Sequence, residues 1–465
     1  MTLPIMRRIS AIVTLFTSLA SSAMGSPAVY YNNTLIEQRA DPHIVKHTDG
    51  VYYFTATVPD YDAVILRSAP TIQELQTAEE VTIWTRTPSG PGSGQVWAPE
   101  LHWIDGKWYI YVALGVAGEW RIRANVLEGT GDDPLTAIWE EKGIVETDWD
   151  TFSLDMTTFE VNGTRYLVWA QDDPTWGDTN TSLMLAKAID PWTIEKPAVA
   201  ISRPDLAWER IGHNVNEGAY TIIRDGRIYL TYSASATDSN YCMGLLSASI
   251  DSDLMDASSW TKATEPIFVS NEATEQYGPG HSTFTTSEDG LSDLLVYHDR
   301  GYRDIEGEPL NDRNRRTRVQ KVYWDANGPV FGVPVPDGMT PVRLRTASDE
   351  TLFVRQQGED ANVELSGSAP LVETQFRVNV QGDADAVVIE TTSTPGRYLV
   401  RDGSALRVGG EGEQTEFVQV PGLADEEGVS FVVKDEETLY IVVGQGGEVG
   451  IGEVGDESLA TFYLD

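Results

Sequence analysis

The chain has 465 residues, enough for two or three domains that each bury a core of their own. Its 71 acidic residues against 33 basic ones give a formal net charge of −38. That balance argues against nucleic acid, anionic membranes or polyanions as partners and leaves neutral molecules such as uncharged carbohydrate.

The first element is a targeting segment. Arg7 and Arg8 precede an apolar run from Ile9 to Ala20, and Ala23-Met24-Gly25 follows with the small-x-small pattern of signal peptidase sites. The run is too short to span a bilayer. Residues 1–25 therefore read as a signal peptide and predict a secreted, extracellular protein. Sequons at Asn32, Asn162 and Asn180 agree with that compartment. It would permit disulfides, yet Cys242 is the single cysteine, so stability must come from packing.

Five turn-plus-strand units come next: DGVYYFTA, DGKWYIYVAL, NGTRYLVWA, DGRIYLTYSA and DGLSDLLVYH. Asp-Gly and Asn-Gly favour tight hairpin turns, and β-branched and aromatic residues follow each one. Their glycines, at 50, 106, 163, 226 and 290, are 56, 57, 63 and 64 residues apart. Regular β-meanders of this kind predict an all-β fold with a five-bladed β-propeller over residues 26–338. A two-sheet sandwich gives no reason for five similar units.

Counting back nine residues from each glycine reaches Asp41, Trp97, Leu154 beside Asp155, Glu217 and His281. In a propeller the innermost strands surround a central channel, so equivalent points on them converge. Asp41, Asp155 and Glu217 then form a set of three carboxyls facing one cavity, with Trp97 placed to stack on a sugar face. One protonated and one ionised carboxyl are the minimum for hydrolysing a glycosidic bond, and a third raises the proton affinity of the first. Taken singly, each acid has an ordinary role, capping a turn or standing solvated in a loop. Their shared repeat position is what favours the catalytic one. A lone histidine such as His281 is usually a structural hydrogen-bonding group, and it is also the candidate ligand for a channel ion such as calcium. In the arginine-rich segment 299–320, Arg318 opens the strand RVQKVYW and its donor fork suits a sugar hydroxyl or an acid; surface ion pairing is the alternative.

All 13 tryptophans and all six histidines lie before residue 325, and VFGVPVPDGMTPV marks a boundary near 338. Beyond it, VRLRTASDETLFVR, VVIETTSTPGRYLVR and VSFVVKDEETLYIVV align so that Leu344, Ile389 and Phe431 are each followed nine residues later by Phe353, Tyr398 and Tyr440, and Phe376, Phe417 and Phe462 close the units. Three β-rich units of about forty residues predict a β-trefoil-like C-terminal domain over 339–465.

The motifs ADPHIVKHTDGVYYFTA, VWAPELHWIDGKWYIY, FSLDMTTFEVNGTRYLVWAQ, VNEGAY, YGPGHSTF and RVQKVYWDANGPVFGVPVP, spread from Leu35 to Pro336, resemble glycoside hydrolase family 43. The resemblance implies a five-bladed propeller enzyme that inverts the anomeric centre, with Asp41 as general base, Asp155 as modulator of the acid's pKa and its orienter, and Glu217 as general acid. It matches His281 to the family's channel histidine and implies a substrate contact from Arg318; with Trp97 of the repeat register these are the substrate-binding candidates. WAPELH, SLDMTTFE and ATDSNYCMG are most similar to secreted α-L-arabinofuranosidases, which implies arabinan or arabinoxylan of the plant cell wall as substrate, no required cofactor and a monomer. A β-xylosidase, an endo-arabinanase or a non-catalytic carbohydrate-binding propeller are the alternatives. The C-terminal repeats resemble an arabinofuranose-binding trefoil, although that family's sugar pockets use histidine and this segment has none. Its 24 acids against 6 bases from residue 346 onward suit solubility as much as recognition.

Overall fold

The computed structural model describes residues 30–177, 180–358, 360–381 and 386–465, so the predicted signal peptide, residues 1–25, lies outside the described part. The propeller expectation is met by five antiparallel sheets in succession. Blade 1 is Ala40–Lys46, Tyr52–Thr57, Ala63–Ala69 and Val81–Thr85. Blade 2 is Val96–Ile104, Lys107–Gly115, Ile122–Thr130 and Ile138–Ile144. Blade 3 is Ser153–Val161, Thr164–Gln171, Ser182–Asp190 and Thr193–Ile194, with Val199–Ser202 also paired to its third strand. Blade 4 is Asn216–Arg224, Arg227–Ala234, Cys242–Ser249 and Thr261–Lys262. Blade 5 is Tyr277–Thr286, Asp293–Arg300 and Arg316–Lys321.

The first strand of each blade is the innermost, and each Asp-Gly or Asn-Gly turn joins it to the second. In blades 2, 3 and 4 the turn has two residues, with Ile104 paired to Lys107, Val161 to Thr164 and Arg224 to Arg227. Both turn residues there have positive φ, as in Asp105 (49°) and Gly106 (82°), the backbone that such hairpins demand. Blades 1 and 5 use longer connections, between Lys46 and Tyr52 and between Thr286 and Asp293.

Each blade packs against two others, so its strands are buried on both faces and read as continuous apolar runs, as in KWYIYVALG of Lys107–Gly115. Tyr53, Val64 and Leu66 of blade 1 meet Val96, Leu101 and Trp108 of blade 2. Met243 of blade 4, with Phe268 bridged to it, meets Phe284, Leu295 and Tyr297 of blade 5. The N-terminal segment closes the ring: Leu35 N–H donates to Thr317 O at 3.0 Å, Thr317 N–H donates to Ile36 O at 2.9 Å, and the buried Asn33 side chain bonds both the N–H and the C=O of Val319. Closing the ring with the start of the chain gives blade 5 its missing outer edge.

The C-terminal part corrects the trefoil expectation. It is a closed barrel of nine strands, traced from Val342–Thr346 through Gln375–Gln381, Ala386–Thr391, Tyr398–Asp402, Ala405–Gly409, Val449–Gly452, Tyr440–Val443, Val429–Val433 and Phe462–Leu464 back to the first. The pairing that makes the difference is Ala405 with Gly450, which joins the second and third sequence units edge to edge, while Leu344–Leu464 and Val429–Phe462 complete the circuit. The repeat period identified core residues without identifying this closure. Leu344, Ile389, Phe431, Phe376, Phe417 and Phe462 are all buried in one cluster, whereas Phe353, Tyr398 and Tyr440 are half-buried and their neighbours Val354, Leu399 and Ile441 enter the core instead.

Candidate active site

Each innermost strand carries a β-bulge at the same height. Register shifts lie between Ala40 and His43, Trp97 and Glu100, Leu154 and Thr157, Glu217 and Tyr220, and Gly280 and Thr283. Within them Asp41, Ala98, Asp155, Gly218 and His281 have φ of 52°, 46°, 54°, 56° and 44°. The left-handed residue bends each strand and re-aims its side chain, and four of the five positions bear this strain without glycine. At the fifth, a Cβ on Gly218 would lie 3.1 Å from the His281 ring, so close approach there also requires glycine. The bulges gather Asp41, Trp97, Asp155, Glu217 and His281 around one cavity of about 360 Å³.

Asp41 is buried and held ionised. Burial alone would raise its carboxyl, but the Arg315 guanidinium at 3.0 Å, helped by His281 and His298, outweighs it and holds Asp41 well below the usual carboxylate range. Its other oxygen accepts from Thr57 Oγ1 at 2.6 Å, and its backbone N–H donates to His298 Nδ1 at 3.0 Å. Burial pushes Glu217 the other way, up to about 7; the Tyr241 hydroxyl, donating to Oε1 at 2.8 Å, pulls it down, and the Asp41 charge adds to the rise. Asp155 is raised well above its ordinary value by burial and then by the charges of Glu217 and Asp41. Its Oδ2 accepts from Gly218 N–H at 3.0 Å, so Asp155 grips the peptide beside Glu217. The site thus holds one carboxylate kept charged and a pair that retains a proton near neutrality.

His281 bridges the acids, with Nδ1 3.4 Å from Asp41 Oδ1 and 3.7 Å from Asp155 Oδ2. Trp97 lines the cavity, edge-on to Tyr61. Arg318 is not brought to the cavity. It is fully buried within the third strand of blade 5, ion-paired with Asp299 and bonded to Asp337 and the Val335 carbonyl, and pins the segment after that strand. Arg315, three residues earlier and so on the opposite side of the chain, is the arginine that reaches the acids.

Below the carboxyls the same strands supply a second polar tier: His43, Glu100, Thr157, Tyr220 and Thr283, each two residues beyond a bulge residue. With His102, the residues His43 and Glu100 form the group whose potential ligand atoms lie within 4.8 Å of one another. Two imidazoles and one carboxylate suit a zinc-type ion better than calcium, which takes six to eight oxygens. These groups already bond one another, His102 Nε2 to Glu100 at 2.9 Å and His43 Nε2 to Tyr220 at 3.1 Å. That donor set does not suit calcium, and His281, the histidine expected to hold a channel ion, is not part of it.

Comparison with known proteins places the chain among its relatives. The model of glycosyl hydrolases family 43 matches residues 30–330. The chain is 58% identical to "Alpha-L-arabinofuranosidase 43" of Humicola insolens over 98% of both chains. It is 55% identical to "Extracellular exo-alpha-(1->5)-L-arabinofuranosidase" of Streptomyces avermitilis, over 79% of this chain and 76% of that one. Among solved structures, α-L-arabinofuranosidase from Lactobacillus brevis superposes with a TM-score of 0.65 at 47% identity, covering 66% of this chain and 98% of the other.

Proposed function

The chain belongs to glycosyl hydrolases family 43, and from that premise we propose that it is a secreted α-L-arabinofuranosidase that releases arabinose from arabinan or arabinoxylan with inversion, Asp41 acting as general base and Glu217 as general acid. The observation that carries this is the opposed state of the two carboxyls across one cavity, Asp41 held low beside Arg315 and Glu217 raised to about 7. A water placed by ionised Asp41 attacks the anomeric carbon while Glu217 delivers its proton to the leaving oxygen. Asp155 acts through Glu217: its bond to Gly218 N–H fixes the acid's backbone, and its carboxyl, itself raised by burial and by the charge of Glu217, belongs with Glu217 to the pair that retains a proton. His281 holds Asp41 and Asp155 in place. A cation held by His43, Glu100 and His102 would lie one tier below the acids.

The relatives' names support the arabinofuranosidase over a β-xylosidase or endo-arabinanase. Product analysis tests this. Arabinose is the expected product from α-1,5-linked arabino-oligosaccharides or arabinoxylan, whereas xylose from xylobiose, or only oligomers from linear arabinan, would overturn it.

The rate should be bell-shaped in pH. Glu217 must be protonated, so kcat/KM falls on the alkaline side through about 7; Asp41 must be ionised, so the acid limb lies well below the usual carboxylate value. Tyr241 donates to the charged form of Glu217 and holds its proton affinity down. In Tyr241→Phe that donor is lost, and the alkaline limb is expected to move to higher pH with the acid limb in place. A pH–rate profile of kcat/KM checks this.

A further inference from the structure

We propose that Trp120 and Phe152 form the platform for the sugar on the leaving-group side of the scissile bond, an inference that rests on the glycosidase assignment above. The acids lie at the floor of the cavity, and Trp120 lies at its mouth with 65% of its surface exposed. Its ring stacks on Phe152 with centroids 5.6 Å apart and planes 18° from parallel, and meets Trp97 edge-on at 5.9 Å. Trp97, Trp120 and Phe152 thus run as an aromatic wall from floor to mouth.

The wall is braced. Trp120 sits in the turn between Lys107–Gly115 and Ile122–Thr130, where Val116 N–H donates to Arg121 O. Arg121 and Arg123 both bond Asp150, two residues before Phe152, with Arg123 Nε at 2.7 Å and Arg121 Nη2 at 3.3 Å from its carboxylate. The two segments are therefore clamped in the position that stacks their rings. The segment Pro309–Leu310, which also lines the cavity, is fixed as well: Tyr61 O–H donates to Leu310 O, and Arg300 bonds Pro309 O and Asp312. A substrate whose terminal sugar reaches the floor has its next sugar at this mouth, and the apolar C–H face of a neutral sugar is the chemistry that an exposed, immobilised indole face accepts. The structural alternative is that Trp120 only shields Phe152 from water.

The test compares two substrates with the same terminal arabinofuranose, an α-1,5-linked arabinobiose and methyl α-L-arabinofuranoside, the second lacking the sugar that the platform would hold. In Trp120→Ala the ratio of kcat/KM for arabinobiose over the methyl glycoside is expected to fall about tenfold, which corresponds to about 1.4 kcal/mol of lost contact, with the change in KM. Trp120→Phe, which keeps an aromatic face, should recover most of the ratio. A ratio in Trp120→Ala equal to wild type, or a Trp120→Phe variant as poor as Trp120→Ala, would overturn the platform. If the wild-type protein cleaves neither substrate, the arabinofuranosidase assignment fails instead, so the two failures are distinct.

Discussion

Glu217→Gln is expected to lower kcat/KM on arabinan by about 10²–10⁴-fold, the usual worth of general acid catalysis, and by far less on an aryl α-L-arabinofuranoside with an acidic phenol. The amide has no proton to deliver, and a phenolate leaves without one. The variant should fold, because it removes a group that burial opposes when charged. The linkage has a definite sign. The Glu217 carboxyl is raised from 4.5 to about 7, so the stability tied to its protonated form is complete below 4.5 and is lost as pH rises through about 7. Glu217→Gln escapes that loss, and its Tm should exceed that of wild type at pH 8 and match it at pH 4. Equal loss of rate on polysaccharide and on the activated aryl glycoside would remove Glu217 from the role of acid.

Asp41→Asn should behave oppositely on both counts. Losing the base leaves the attacking water unactivated whatever departs, so the fall, again about 10²–10⁴-fold, should be as large on the activated aryl glycoside as on arabinan. The neutral amide would also leave the buried Arg315 without its charged partner, a change that costs about 3 kcal/mol when a buried ion pair is broken from one side. The variant should therefore unfold at a lower temperature than wild type. Thermal unfolding beside the two-substrate assay separates lost chemistry from lost structure. A variant that kept its rate on the aryl substrate would show that Asp41 is not the base.

Both acids could be read from the sequence, whereas several of their partners could not. The turn glycines marked the blades, because a two-residue hairpin needs positive φ whatever surrounds it. Counting nine back from them reached Asp41 and His281 at the bulge itself, but in blades 2, 3 and 4 the bulge residue is eight back, at Ala98, Asp155 and Gly218. The shorter turns of those blades account for the difference. Trp97 and Glu217 therefore stand one residue ahead of the bulge and still line the cavity. His43, Glu100 and Tyr220 were missed although they lie only two residues further along the same strands, because no cluster with ligand spacing is visible until the blades are brought together.

Arg315 was hidden among four arginines from 313 to 318, and only the alternation of the chain at the start of Arg316–Lys321 decides which one faces the channel. Tyr241 lies outside the innermost strands, just ahead of Cys242–Ser249, so the repeat that located the acids did not point to it. Nothing local signals that it reaches Glu217. Its approach depends on Gly280, where a Cβ would lie 2.4 Å from the Tyr241 ring, a contact between blades 4 and 5. Trp120 and Phe152 belong to connecting segments whose conformation is set by Arg121, Arg123 and Asp150. In the C-terminal part, the spacing of Leu344, Ile389 and Phe431 found the core, but barrel closure through Ala405 and Gly450 depends on pairing between distant edges, to which side-chain periodicity is blind.

The proposed roles, a water activated by Asp41 and a proton given by Glu217, amount to a single displacement at the anomeric carbon. Proton NMR of the first-formed sugar during hydrolysis of an α-L-arabinofuranoside tests that chemistry most directly. A single displacement requires that β-L-arabinose appear first and the α-anomer follow only by mutarotation; α-L-arabinose as the first product would mean that a carboxylate bonds to the sugar, and would contradict it.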